Sequence, residues 1–238
     1  DIVYIVTDLK SFTADHRWID RFGERMILQL PDLMGDSPQE SDKHFAFLIQ
    51  FMDGNRIDLS LESIDTLDSR EEESLRKLLL DKDGLFAPFP PSNDRDYMPQ
   101  PPTAHAYDDC TNEFWWVATY VAKGFWREEL TYARFHMDTI LRDELIKMLT
   151  WYVGVQTGYK KSVGKLGKYL KNYLEPELWS MFEKTYADAD YDHAWDALFV
   201  MCDLFRQTAQ KVAEHHGLTY PVDDDQRVSA YLHYIREL

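Results

Sequence analysis

Two carboxylates stand where a strand would carry them. Asp1 opens the apolar run Ile2-Val-Tyr-Ile-Val6, and Asp58 lies on the polar side of the alternating run from Asn55 to Leu61. Hard divalent cations take such oxygens, and two metals bridged by aspartates can activate a hydroxyl while neutralising a triphosphate. Spacing alone favours a blander reading, because an acid at a chain start is solvated and an alternating strand puts acids on its wet face. A second grouping is helical. Asp109, Glu113, Trp116, Tyr120 and Lys123 recur at spacings of three and four, so they form one stripe on a helix. Acids at one end, aromatic rings between and a lysine at the other suit a cleft wall; the alternative is a second buried face with Trp116 as packing. A third grouping, Lys160, Lys161, Lys165, Lys168 and Lys171 with Ser162 among them, is the most basic stretch. Phosphate contact and a solvated helix start explain it equally well.

Several familiar motifs fail. Gly158-Tyr-Lys-Lys-Ser-Val-Gly164-Lys165-Leu166 has one residue too many between its glycines for a phosphate loop. It also lacks Ser or Thr after the lysine, and no buried strand precedes it. No G-x-G-x-x-G opens a helix after a strand, and no G-x-S-x-G elbow exists. The histidines show no Cys/His spacing for structural zinc. Cys110 and Cys202, the only two cysteines, read as reduced thiols of a cytoplasmic protein.

The 238 residues carry 26 Lys and Arg against 42 Asp and Glu, a formal charge of −16. That balance disfavours a nucleic-acid partner, which would need clustered positive charge, and is compatible with a cationic small molecule or with solubility alone. No uncharged apolar run approaches the ~20 residues that span a bilayer, so no membrane partner is expected.

The elements that position these groups fall into two differently patterned halves. Six of the ten prolines lie between Leu85 and Thr103; that density admits neither helix nor central strand, and the stretch reads as a connector. Before it, Ile2–Val6 suits a strand buried on both faces. A short helical piece holds Trp18, strands follow over Arg25–Leu30 and His44–Met52, Asp53-Gly54 turns the chain, and Asn55–Leu61 returns. A helix is predicted from about Arg70 to Leu80. After the prolines, Asp108–Lys123 is a helix with Phe114, Val117, Ala118 and Val121 on its buried face. Further helices are predicted near Glu128–Ile140, Asp143–Tyr159, Lys165–Tyr173, Pro176–Tyr186, His193–His215 and Asp225–Leu238. Trp151 and Trp195 read as core. The fold class is α+β: a mixed β-sheet with flanking helices over residues 1–100, then an all-α helical bundle over 101–238.

The combined motifs carry a resemblance. Asp1-Ile-Val-Tyr-Ile-Val-Thr-Asp8, Trp18-Ile-Asp-Arg-Phe-Gly23, Asp53-Gly-Asn-Arg-Ile-Asp-Leu59, Leu80-Asp-Lys-Asp-Gly84, Asp108-Asp-Cys-Thr-Asn-Glu-Phe-Trp-Trp-Val117, Tyr120-Val-Ala-Lys-Gly124 and Ser162-Val-Gly-Lys165 resemble aminoglycoside 6-adenylyltransferases, within the polymerase-β-like nucleotidyltransferases. In that superfamily a Gly-Ser turn leads to an Asp-x-Asp on one strand, with a third carboxylate on a neighbouring strand. Asp1 resembles the second aspartate and Asp58 the third. The Gly-Ser turn and first aspartate would precede Asp1, and a missing leading segment is the expectation; a chain truncated there would lack half its metal site.

The resemblance implies transfer of AMP from Mg-ATP to a streptomycin hydroxyl, releasing pyrophosphate and conferring resistance. It implies two Mg2+ ions held by Asp1 and Asp58, ATP as co-substrate, and Asp58 as general base. Lys123, Ser162 and Lys165 would bind the nucleotide, and Asp109, Glu113, Trp116 and Tyr120 the cationic aminoglycoside through charge and cation–π contact. The protein would be a monomer or a homodimer. Two other readings stay open: a nucleotidyltransferase with another small-molecule or protein acceptor, and a non-catalytic relative that binds nucleotide or drug.

Overall fold

The computed structural model describes residues 1–36, 41–69 and 73–238. They form two compact units, Asp1–Glu73 and Ser74–Leu238, so the proline-rich stretch groups with the second unit.

The first unit is built on a four-stranded mixed sheet of β1 (Ile2–Val6), β2 (Arg25–Gln29), β3 (His44–Phe51) and β4 (Arg56–Ser63). Spatial order is β1-β4-β3-β2, with β1 parallel to β4 and the other pairs antiparallel. The β3–β4 hairpin turns where Asp53 accepts the Asn55 amide at 2.9 Å and Gly54 takes φ +86°, a left-handed angle that glycine adopts without strain. Alternation then sorts the side chains. Phe45, Phe47, Ile49 and Phe51 of β3 are buried with Leu59 and Leu61 of β4, against Leu9 and Ile19. Those last two flank and occupy the one-turn helix α1 (Lys10–Thr13) and a 3-10 segment, His16–Phe22. Asp58, Ser60 and Glu62 take the opposite face.

The first strand departs from expectation. β1 is an edge strand, with Val3 and Tyr4 exposed, because among the described residues only β4 flanks it. The predicted helix over 70–80 also fails. Residues 70–72 lie outside the described residues, and 73–80 contain turn and irregular backbone. Ser74 and Asp96 exchange hydrogen bonds instead, 2.7 Å to the Asp96 carboxylate and 3.1 Å to the Ser74 hydroxyl. Leu75, Leu79 and Leu80 remain exposed, so no burial supports a short helix there.

The second unit holds α2 (Ala104–Trp126), α3 (Leu130–Phe135), a π-helical turn (His136–Leu141), α4 (Arg142–Thr157), α5 (Pro176–Lys184), α6 (Tyr191–His216) and α7 (Val222–Glu237). Thr103 caps α2 by accepting the Ala106 amide at 3.1 Å, and Asp190 caps α6 from its Asp192 and His193 amides. α2 packs on α7, α3 and the π turn, and α4 on α6. Phe114 of α2 stacks on Phe205 of α6 with centroids 3.7 Å apart, and the buried Tyr107 hydroxyl donates to the Ala209 carbonyl at 2.9 Å. Trp151 and Trp195 join this core, and Cys110 and Cys202 are free and buried.

Two helical expectations are corrected. The patterns predicted at 128–140 and 143–159 form one unbroken helical run over 130–157, joined through the π turn. Residues 165–173 form two 3-10 turns, Lys165–Gly167 and Leu170–Asn172. Gly164, Leu166 and Gly167 take φ of +72°, +56° and +73°, which no α-helix accommodates. Among the described residues no helix is long and apolar enough to cross a membrane.

Candidate functional site

The carboxylate pair is set by register. Ile2 pairs with Leu59 in the parallel β1–β4 ladder, so Asp1 stands one step earlier, alongside Asp58. Leu59 points into the core, so Asp58 takes the opposite face with Ser60 and Glu62. Asp58 is gripped by its own strand neighbour: Arg56 donates to its two oxygens from Nε and Nη2, both at 2.7 Å. That fork holds the Asp58 carboxyl below its ordinary range against a smaller opposing push from burial. Alternation places Arg56, at i−2, on the face of Asp58; its ion pair with Asp58 is what the sequence reading missed.

Among the described residues no group of three or more His, Cys, Asp or Glu is placed to hold a metal. Asp1 and Asp58 supply two carboxylates. Hard carboxylate oxygens are the donor type that magnesium takes, one or two from protein with water and phosphate oxygens filling the rest.

The stripe on α2 is a wall open to solvent. Trp116 is 59% exposed, which rules out the buried-face alternative. Its indole N–H donates to the Tyr120 hydroxyl at 2.7 Å, and the Lys123 ammonium stands 4.9 Å from the Tyr120 ring centre. Asp109 is exposed and 3.4 Å from His105, and Glu113 one turn on is exposed. The structure therefore links Trp116, Tyr120 and Lys123 by direct contact, with the two acids along the same helix.

One further residue joins this group from another element. His136, first in the π turn, sets its ring edge-on to Tyr120, with centroids 5.5 Å apart and planes at 88°. The sequence pattern of 128–140 gave no reason to single it out, because an α-helical period leaves the π offset invisible.

Ser162 and Lys165 lie on the loop after α4 and not on the α2 wall. The Ser162 hydroxyl accepts the Gly164 amide at 3.1 Å, serving its own loop. The amides of Gly167, Lys168 and Tyr169 are bonded to Gly164, Lys165 and Val163 carbonyls, so the loop has side chains, not these amides, to offer an anion. Lys165 is exposed, and the Lys168 ammonium lies 4.9 Å from the Tyr169 ring centre.

A sequence profile of the streptomycin adenylyltransferase family matches residues 1–235. An aminoglycoside 6-adenylyltransferase from Campylobacter jejuni is 41% identical over 233 residues, 98% of this chain and 80% of that protein. One from Bacillus subtilis (strain 168) is 39% identical over 233 residues, 97% of this chain and 82% of that protein. The crystal structure of an aminoglycoside 6-adenyltransferase from Bacillus subtilis matches with a TM-score of 0.55 at 38% identity, covering 98% of this chain and 87% of that chain.

Proposed function

The chain belongs to the streptomycin adenylyltransferase family, and from that premise we propose that it transfers AMP from Mg-ATP to a hydroxyl of a streptomycin-class aminoglycoside, releasing pyrophosphate. The observation that supports this reading is the parallel β1–β4 register, which pairs Ile2 with Leu59, the residues that directly follow Asp1 and Asp58.

Asp1 and Asp58 would hold magnesium, which when bound neutralises triphosphate charge and acidifies a coordinated hydroxyl. Asp58 accepts the proton of the attacking hydroxyl. The Arg56 fork works in both directions here. It keeps Asp58 ionised, as ligation and base catalysis both need, yet it lowers the carboxylate's basicity. Arg56 is 62% exposed at its side chain, so it is free to release Asp58 when a divalent cation and a hydroxyl compete for the same oxygens.

On the second unit, read as a helical bundle that binds both substrates, Asp109, Glu113, Trp116 and Tyr120 receive the guanidinium groups of the drug. Lys123 and Lys165 meet phosphate charge, and Ser162 supplies a hydroxyl. The overall charge of −16 favours encounter with a polycation.

The test incubates the full chain with Mg-ATP and a panel of aminoglycosides, reading pyrophosphate release and product mass. Streptomycin gaining one AMP is the expected result. Silence with streptomycin but release with another acceptor overturns the substrate, and silence with every acceptor overturns the activity.

A further inference from the structure

Tyr120 is the hub of the α2 wall. Its hydroxyl is held by the Trp116 indole, its ring carries the Lys123 ammonium, and rings of Trp116 and His136 both contact it. His136 is itself fixed. Its Nδ1 lies 2.8 Å from the Tyr132 carbonyl oxygen; a carbonyl only accepts, so Nδ1 bears the proton there. Its ring also rests against Tyr132 and Phe135, with centroids 4.3 and 5.5 Å away.

The turn that presents it is anchored on both sides. Met137 and Leu141 are fully buried in the core. Asp138 accepts from Arg134 at 2.8 Å and pairs with Arg142 at 3.6 Å, while Arg142 donates to the Thr185 hydroxyl and carbonyl at 2.7 and 2.9 Å. A π turn inserts one residue into the helical register. Here Met137 and Leu141 stay in the core while His136, one residue earlier, meets the Tyr120 ring at 88°.

We propose that His136 is a positioning residue for the acceptor: delivered by the π turn, it fixes the Tyr120 ring and, through the Tyr120 hydroxyl, the exposed Trp116 indole that receives the cationic substrate. This rests on the proposed function for the identity of the ligand, but the positioning itself is a property of the free protein.

The experiment compares wild type with His136→Ala, which removes the ring, and His136→Phe, which keeps the edge contact. Thr139→Ala, at an exposed site in the same turn, is the control. Two readouts are taken on the full chain: the indole N–H resonance of Trp116, identified by its loss in Trp116→Phe, and steady-state kinetics with streptomycin and ATP. His136→Ala should move that resonance and raise KM for streptomycin about five- to tenfold, the size of one lost aromatic contact. KM for ATP and kcat should change less than about twofold, since uniform binding alone is lost. His136→Phe should restore most of both signals. An unmoved indole resonance in His136→Ala overturns the positioning, as does an equal shift in Thr139→Ala. A fall in kcat at unchanged KM overturns it too, because His136 would then act on the chemistry. If the wild type adenylylates nothing, the functional reading fails alone and the indole resonance still decides the positioning.

Discussion

Gly124 is a point of close approach between α2 and α3, and replacing it by alanine sets two opposed effects against each other. A Cβ built on Gly124 stands 2.8 Å from the Ala133 Cβ, 3.1 Å from the Tyr132 ring and 3.2 Å from the Ala133 Cα. In a helix interior, Gly→Ala gains about 1 kcal/mol from propensity. Forcing a methyl into a packed contact costs about 1–3 kcal/mol. The second effect wins here, because two of the three neighbours are a buried Cβ and a backbone Cα that cannot swing aside. Ala133 is fully buried in α3, which runs directly into the π turn. Gly124→Ala should therefore destabilise the second unit, by up to about 2 kcal/mol. The assay is urea unfolding followed by far-UV circular dichroism, which reports chiefly the long helices of that unit. Ala133→Gly in the Gly124→Ala background removes the clashing methyl, so the double mutant should show favourable coupling of about 1 kcal/mol. A Gly124→Ala protein that is more stable than wild type, with additive behaviour in the double mutant, would refute the close approach.

Lys165→Glu reverses charge at an exposed position of the basic loop and should raise KM for ATP about tenfold or more while leaving KM for streptomycin near its wild-type value; initial-rate kinetics in both substrates checks it. Asp225 is buried and accepts from Arg206 at 2.6 and 2.7 Å, from Tyr220 at 2.8 Å and from Ser229 at 3.0 Å. Burial pushes its carboxyl up, but the Arg206 guanidinium and the hydroxyls outweigh that and hold it below its ordinary range. Its contribution is thus present above the unfolded carboxylate pKa near 4 and lost as pH falls through the lower folded value. Asp225→Asn should cost about 2–4 kcal/mol at neutral pH, and its deficit relative to wild type should shrink in strongly acid buffer, as read by urea midpoints across pH.

The elements legible in the sequence were those whose hydrophobic period matches one ideal geometry. The β3–β4 hairpin follows from alternation on either side of Asp53-Gly54, and α2 follows from Phe114, Val117, Ala118 and Val121. The departures have local causes that no period encodes. Leu166 sits in the left-handed region between two left-handed glycines and breaks the predicted helix. The π turn hides one extra residue inside a continuous run, and with it the contact of His136 to Tyr120. β1 reads as fully buried by composition, yet burial depends on what flanks a strand, which Ile2–Val6 does not carry in its own residues. For the candidate site, Asp1 and Asp58 were visible singly; their adjacency came from the parallel register, and the Arg56 fork from side-chain geometry on β4.

The proposed AMP transfer turns on Asp58 as ligand and base. Asp58→Asn keeps the shape of the side chain and removes its charge at a half-buried site on the sheet face. The most direct measurement is pyrophosphate release by this variant of the full chain with Mg-ATP and streptomycin, alongside circular dichroism. Release falling by about three orders of magnitude or more with an unchanged spectrum is the predicted result. Release within about tenfold of wild type would contradict it, because no lost metal ligand and general base leaves so much activity behind.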